Sequence, residues 1–394
     1  MKKSSWIYSL LPVLFAFFVM GFVDFVGIAM NYVKQDFHLS DTIGSLIPMM
    51  VFVWFLFLSI PAGMMAGKIG YKRTVLLGLA ITVVAMALPI LSYQFGMLLV
   101  AFALLGIGNT LLQVCLNPLV GCLVDSGKMA SFLTLGQFIK AISSFLGPIL
   151  VSLMVSWFFD WRIVFYVYAF ITLISALWFA FSVQNSKDSN VSVVTFSSLK
   201  SVLKDSYILS AFIGILLVCG IDIGLNTGIP QLLMTKLGWP LATAGLGTSV
   251  YFAARTIGTF LGTFILLKVS SLKFLRYTMI VALFAFLLLL FSNGKEMLFA
   301  MIVVIGLMCS NVFSIIFSLA LNHNRGKMNE ISSFMIMGIC GGALVIPLMG
   351  FLSDRIGIAL AMGILVLCVV YLLIWSFMQY SSLKSDSSDA INSK

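Results

Sequence analysis

Asp24, Lys140, Asp222 and Arg255 are the formal charges that fall inside the long apolar runs of this 394-residue chain, each within a few residues of the middle of its run. Placing a charge in hydrocarbon costs at least about 2.5–3.5 kcal/mol on insertion scales, so these side chains are expected to line a central cavity and to compensate one another. Two acids and two bases sum to zero, which fits a paired network, although the sequence does not say which acid meets which base. An acid so placed can load and release a proton, which makes Asp24 and Asp222 candidates for proton coupling. The plainer alternative is a structural ion pair, and Arg255 in particular could serve only to hold the halves of the chain in register.

Residues three or four apart share a helix face, so spacing shows what accompanies each charge. Asn226 lies four residues after Asp222, Gln137 three before Lys140, and Tyr251 four before Arg255. Asn109, Gln113 and Asn117 repeat every fourth residue on one stripe, Asn311 sits at mid-depth of a later run, and Trp54 is central in the second. Amides that donate and accept, with an aromatic face beside them, are what a polyhydroxylated ring requires of a binding site. The same amides serve equally well as interhelical hydrogen bonds, worth roughly 0.6 kcal/mol each, and Trp54 equally well as packing. His38 and His323 fall in loops and are expected to be solvated. No loop offers a Ser/His/Asp set, a metal-ligand cluster or a phosphate-binding glycine loop, so the sequence does not point to an enzyme or to a metal or organic cofactor.

The elements that must position these residues follow from composition. Apolar residues make up 61% of the chain and charged ones 9%, which excludes a water-soluble fold. At roughly 20 apolar residues per crossing, breaking the runs at charged and turn-rich clusters predicts helices over 7–33, 44–67, 74–92, 96–124, 129–156 and 161–182. A second set is predicted over 207–234, 241–267, 274–292, 297–321, 331–353 and 357–379. The expected organisation is a six-helix unit at 1–182, a Ser-rich polar linker at 183–206, a second six-helix unit at 207–380 and a tail at 381–394. The N-terminal run is longer than a signal-peptide core and lacks a small-residue cleavage site, so it reads as a first, uncleaved helix. With the N-terminus inside, sixteen Lys and Arg fall on the cytoplasmic side, five on the other and two within helices. Both termini are thus expected in the cytoplasm, and the net charge of +10 reports orientation rather than nucleic-acid binding. The six cysteines lie in apolar stretches without metal spacing and are expected to be packing residues.

Corresponding features recur in the same order in both halves: GFVDF and GID in the first and seventh helices, Gly147-Pro148 and Ile346-Pro347 in the fifth and eleventh. A six-plus-six duplication explains them. Between the second and third helices, GMMAGKIGYKR (63–73) resembles the G-x-x-x-D-R-x-G-R-[RK] motif of the major facilitator superfamily. The resemblance implies a cytoplasmic gate with Gly63 and Gly70 allowing close helix packing and Lys68, Lys72 and Arg73 facing water. Gly67 stands where the motif has Asp. A second such string, GFLSDRIG (350–357), falls outside by the orientation count and is not expected to act as a gate.

The stretch from Asn311 to Asp354 resembles helices ten and eleven of the fucose/galactose/glucose:proton symporters, supported by LLQVCLNPLV (111–120), LTLGQF (133–138), CGID (219–222) and ARTIG (254–258). The resemblance implies an all-α, twelve-helix fold of two pseudo-symmetric bundles in a bacterial inner membrane. It also implies proton-coupled import of a sugar by a monomeric carrier whose partners are that small molecule and the lipid bilayer. Proton coupling in that branch is attributed to an Asp on helix one and a Glu on helix four, and those positions are Gly27 and Gln113 here. Asp24, three residues earlier on the same face, is expected to take the proton. Lys140 stands where relatives often have Asn, which leaves open an anionic sugar or organic acid held by Lys140 and Arg255. An exporter of the same superfamily, suggested by Gly147-Pro148, is a further alternative, and a non-transporting sensor or scaffold is the last.

Overall fold

A computed structural model of the chain describes residues 5–123, 129–183, 203–266, 268–324 and 327–392. Twelve helices in it are long and apolar enough to cross a bilayer. They are α1 (Leu10–Asp36), α2 (Asp41–Ile69), α3 (Tyr71–Leu91), α4 (Phe95–Asn117), α5 (Leu135–Phe158), α6 (Ile163–Ser182), α7 (Ser206–Leu237), α8 (Leu241–Leu266), α9 (Ser271–Phe291), α10 (Lys295–His323), α11 (Glu330–Ile356) and α12 (Ile358–Gln379). The chain is a multi-pass membrane protein. The side on which α1 begins is called near, and the side on which it ends, far.

The helices start and stop for local reasons. Ser40 caps α2, its Oγ accepting from the Ile43 amide at 3.3 Å, and Asp205 caps α7, its carboxylate accepting from the Tyr207 and Ile208 amides. Gly238 ends α7 in a left-handed conformation, which a residue with a Cβ adopts only at a cost. Most of the polar linker, residues 184–202, lies outside the described residues.

Burial divides the structure into two apolar cores. One is built mainly on α1–α6 around Phe17, Phe25, Phe102 and Phe165; the other on α7–α12 around Leu225, Tyr251, Phe286 and Leu365. Few residues cross over, Ile60 being one that joins the second core from α2. Lipid offers no hydrophobic drive between helices, so close packing carries the association. At Gly106 of α4 a Cβ would run into the Val51 carbonyl of α2, and at Gly341 of α11 into the Leu216 carbonyl of α7. Both glycines therefore set helix approach.

Three helices are broken at mid-membrane, α10 at Ser310 and Asn311 among them. α1 tightens into a 3-10 stretch at Gly21–Phe25, and α11 does so at Gly338–Cys340. The first stretch contains Asp24. Gly21 allows α5 to come close there, since a Cβ on it would lie 2.6 Å from the Lys140 carbonyl oxygen. The backbone thus delivers Asp24 and the Lys140 segment to one place.

Candidate functional site

Asp222 on α7 meets Arg255 on α8, with 2.6 Å between Oδ2 and a guanidinium nitrogen. Its other oxygen, Oδ1, accepts from the Tyr251 hydroxyl at 2.5 Å. Tyr251 and Arg255 stand four apart on α8, so one face of that helix grips both oxygens of the acid. The Asp222 side chain is 12% exposed and that of Arg255 29%, and the guanidinium and the hydroxyl together compensate both oxygens of the acid. The pair lies wholly within the second half of the chain.

Asp24 has different company. Its Oδ2 accepts from Ser144 of α5 at 2.5 Å, and its backbone carbonyl accepts from the Asn226 amide of α7 at 2.6 Å. Among the described residues neither Asp24 nor Lys140 has an ion-pair partner. Both nevertheless act electrostatically on Asp222, so the four mid-membrane charges form one cluster. Within it, one acid is bound to its base and the other is held only by a neutral hydroxyl.

The amides separate into two kinds. Asn109 is buried and donates to the Met20 carbonyl at 2.7 Å, tying α4 to α1. Asn311 is buried and donates to the Gly258 carbonyl at 2.8 Å, tying α10 to α8. Both are interhelical bonds rather than cavity groups, because each side-chain NH2 is spent on a backbone carbonyl of a neighbouring helix. Gln137 reaches Asn117 at 3.5 Å. Gln113 Oε1, Trp54 Nε1 and Asn226 Oδ1 are buried atoms without a hydrogen-bond partner. Buried polar atoms are seldom left so, and these two acceptors and one donor have unused hydrogen-bonding capacity. An apolar cleft of about 370 Å³ between α5 and α8 is bordered by Phe145, Ile149, Val250 and Ala253 and by none of the four charges.

The sequence profile of the Major Facilitator Superfamily matches residues 13–347. The chain belongs to the Major Facilitator Superfamily. As a member it is a transporter and not an enzyme. It is 26% identical over 387 residues to a glucose/galactose transporter of Brucella abortus, with 94% of each chain covered. Its fold matches the crystal structure of the Escherichia coli fucose:proton symporter with a TM-score of 0.69 at 21% identity, covering 95% of this chain and 99% of that one. It also matches a bacterial homologue of the human lysosomal transporter Spinster, in an inward-facing and unoccupied conformation, with a TM-score of 0.78 at 16% identity, covering 96% and 97%.

The superfamily motif at 63–73 is only partly as expected. Gly70 is required by geometry, with φ +89 and ψ 154 between α2 and α3. Lys72 Nζ donates to the Ala180 carbonyl at 2.9 Å, fastening this loop to the end of α6, while Lys68 and Arg73 are exposed. Gly63 does not mediate close packing: a Cβ there would meet only Val114, at an ordinary 3.9 Å. GFLSDRIG ends α11 on the far side, where Asp354 and Ser353 bond across to the start of α2. His323 is not simply solvated; it stacks on Tyr207 and lies 3.1 Å from Asp205.

Sequence reasoning passed over several residues of this major facilitator's centre. Asn31 donates to the Gly27 and Thr227 carbonyls, both at 3.0 Å, and Gln231 donates to Asn31 at 2.8 Å. These bonds and the Asn226–Asp24 contact join α1 to α7. Ser144, four residues after Lys140, was within reach of the spacing rule that found Gln137. Asn31 carried no such signal, since its partners Thr227 and Gln231 come from the other half. At Gly27, where relatives of the symporter branch have an acid, a Cβ would run into the Asn226 amide. Outside the spans, Asp160 and Arg162 pair at 2.8 Å, and hydrogen bonding from Arg162 holds the Asp160 carboxyl below its usual range.

Proposed function

We propose that this transporter imports a monosaccharide or monosaccharide derivative by alternating access of its two six-helix bundles, driven by proton symport. The membrane is a bacterial inner membrane, the near side is the cytoplasm, and the carrier acts as a monomer. Support for a sugar comes from the glucose/galactose transporter that matches over nearly the full length of both chains. Three buried polar atoms without partners, on Trp54, Gln113 and Asn226, suit a hydroxylated ligand.

The observation that carries the coupling scheme is the inequality of the two acids. Asp222 has a cation and a hydroxyl on its two oxygens, so taking up a proton there means breaking an ion pair. Asp24 has only Ser144, and its protonation disrupts no ion pair. A protonated Asp24 gains an O–H donor beside the oxygen that Ser144 bonds, and the 3-10 stretch at Gly21–Phe25 is the place where α1 can absorb the change. Because Asn226 of the other bundle holds the Asp24 carbonyl, movement of that stretch reaches α7 directly. Proteoliposome uptake of glucose, galactose and fucose, with and without a pH gradient, tests the reading. Gradient-dependent accumulation of one of them is the expected result.

A second reading is favoured by one observation: Lys140 has no carboxylate partner among the described residues. A sugar acid would supply one. Competition by uronic acids, without competition by neutral hexoses, would establish that reading in place of the first.

A further inference from the structure

The strings GMMAGKIG (63–70) and GFLSDRIG (350–357) are one structural device used twice. Each closes a spanning helix, α2 or α11, and each ends on a glycine with almost the same backbone, φ 89 and ψ 154 at Gly70 and φ 82 and ψ 156 at Gly357. In both the next helix starts at once. The end of α11 meets the start of α2, so the two copies lie on opposite sides of the membrane, Gly70 near and Gly357 far.

They differ at the fifth position, Gly67 in one and Asp354 in the other. Asp354 reaches from the second bundle to the first, accepting from the Asp41 amide at 2.6 Å, the Thr42 amide at 2.8 Å and the Thr42 hydroxyl at 2.6 Å. Beside it Ser353 donates to Asp41, whose carboxylate also pairs with Lys34. The first glycines tell the same story independently. A Cβ on Gly350 would lie 2.5 Å from the Asp41 carbonyl oxygen in the opposite bundle, whereas one on Gly63 would touch only Val114 of its own bundle, at 3.9 Å. The other hydrogen bonds described between the bundles, from Asn31, Gln231, Asn226 and Ser249, lie at mid-membrane or towards the far side.

We infer that Asp354 is a latch that holds the far-side gate shut, and that Gly67 deprives the near-side gate of the matching latch, so that the carrier without substrate rests closed on the far side. The inference rests on the alternating-access reading above. Three hydrogen bonds to one carboxylate, made in one state only, are a differential interaction of the kind that sets such an equilibrium.

Hydrogen–deuterium exchange on the full-length protein in lipid nanodiscs, without substrate, tests this. Asp354→Ala is expected to raise amide exchange in residues 41–45 and to lower it in 63–73, as the far side opens and the near side closes. A shift of about tenfold in the ratio of the two states, equivalent to about 1.4 kcal/mol, is the effect to look for. Gly67→Asp is expected to move both segments in the same directions without removing any existing contact, and Asp354→Glu to stay near the wild type. If Asp354→Ala raises exchange at both ends alike, Asp354 is merely structural and the inference fails. If Asp354→Ala does not fold, Gly67→Asp decides, and unchanged exchange in that variant also overturns it. Neither readout needs a sugar, so failure to find uptake leaves this test standing, and its failure leaves the sugar reading untouched.

Discussion

Substituting Arg255 by Gln strands the Asp222 carboxylate with Tyr251 as its remaining donor. The ion pair is short, 2.6 Å, and its acid is 12% exposed. Removing one partner of a buried pair costs about 3–5 kcal/mol, and the 29% exposure of Arg255 puts the expected loss near the lower figure, about 3 kcal/mol. Asp222→Asn, which leaves the guanidinium without its countercharge, is expected to cost a similar amount. Two independent losses of that size would sum to about 6 kcal/mol. The double variant Arg255→Gln/Asp222→Asn removes both charges, so its cost is expected to stay at or below that of either single change, giving a coupling of about 3 kcal/mol. The assay is reversible unfolding of the purified chain in mixed detergent micelles, followed by tryptophan fluorescence for all four members of the cycle. A double variant that costs the full sum would show that the two side chains stabilise the fold separately, and the division of labour between Asp222 and Asp24 would lose its basis.

The remaining expectations are smaller. Tyr251→Phe removes a hydrogen bond to a charged group and is expected to cost about 1.5–3 kcal/mol in the same unfolding assay, with uptake retained because Arg255 still compensates Asp222. Gly70→Ala and Gly357→Ala force a Cβ onto positive φ and are each expected to lose about 1–3 kcal/mol, while Gly63→Ala, whose Cβ would make only an ordinary contact with Val114, is expected to unfold like the wild type. Gly106→Ala pushes α4 off the Val51 carbonyl and is expected to destabilise by about 1–3 kcal/mol, measured by thermal unfolding.

The helices were legible because hydrocarbon demands long apolar runs: the expected 331–353 became Glu330–Ile356, and 44–67 became Asp41–Ile69. The charges were legible because so few are placed at that depth. Their pairing was not, since Asp222 and Arg255 lie on different helices and spacing rules act along one helix. That rule did join Tyr251 to Arg255, but not Asp222 to either. Amide chemistry is identical whether the partner is a backbone or a hydroxyl, so Asn109 and Asn311 could not be told from Gln113 by type. The 3-10 stretch at Asp24 left no sequence mark that distinguishes it from continuous helix. The partners of Asp354 left no mark along its own helix, because Asp41 and Thr42 belong to the other half of the chain.

The account turns on Asp24, the acid without a cation. Sugar uptake into proteoliposomes with an inward-directed proton gradient, comparing wild type with Asp24→Asn, tests it most directly. With one proton per sugar the wild type is expected to accumulate substrate about tenfold per pH unit. Asp24→Asn is expected to equilibrate sugar without accumulating it while counterflow exchange continues. Uphill accumulation by Asp24→Asn at the wild-type level would contradict the account.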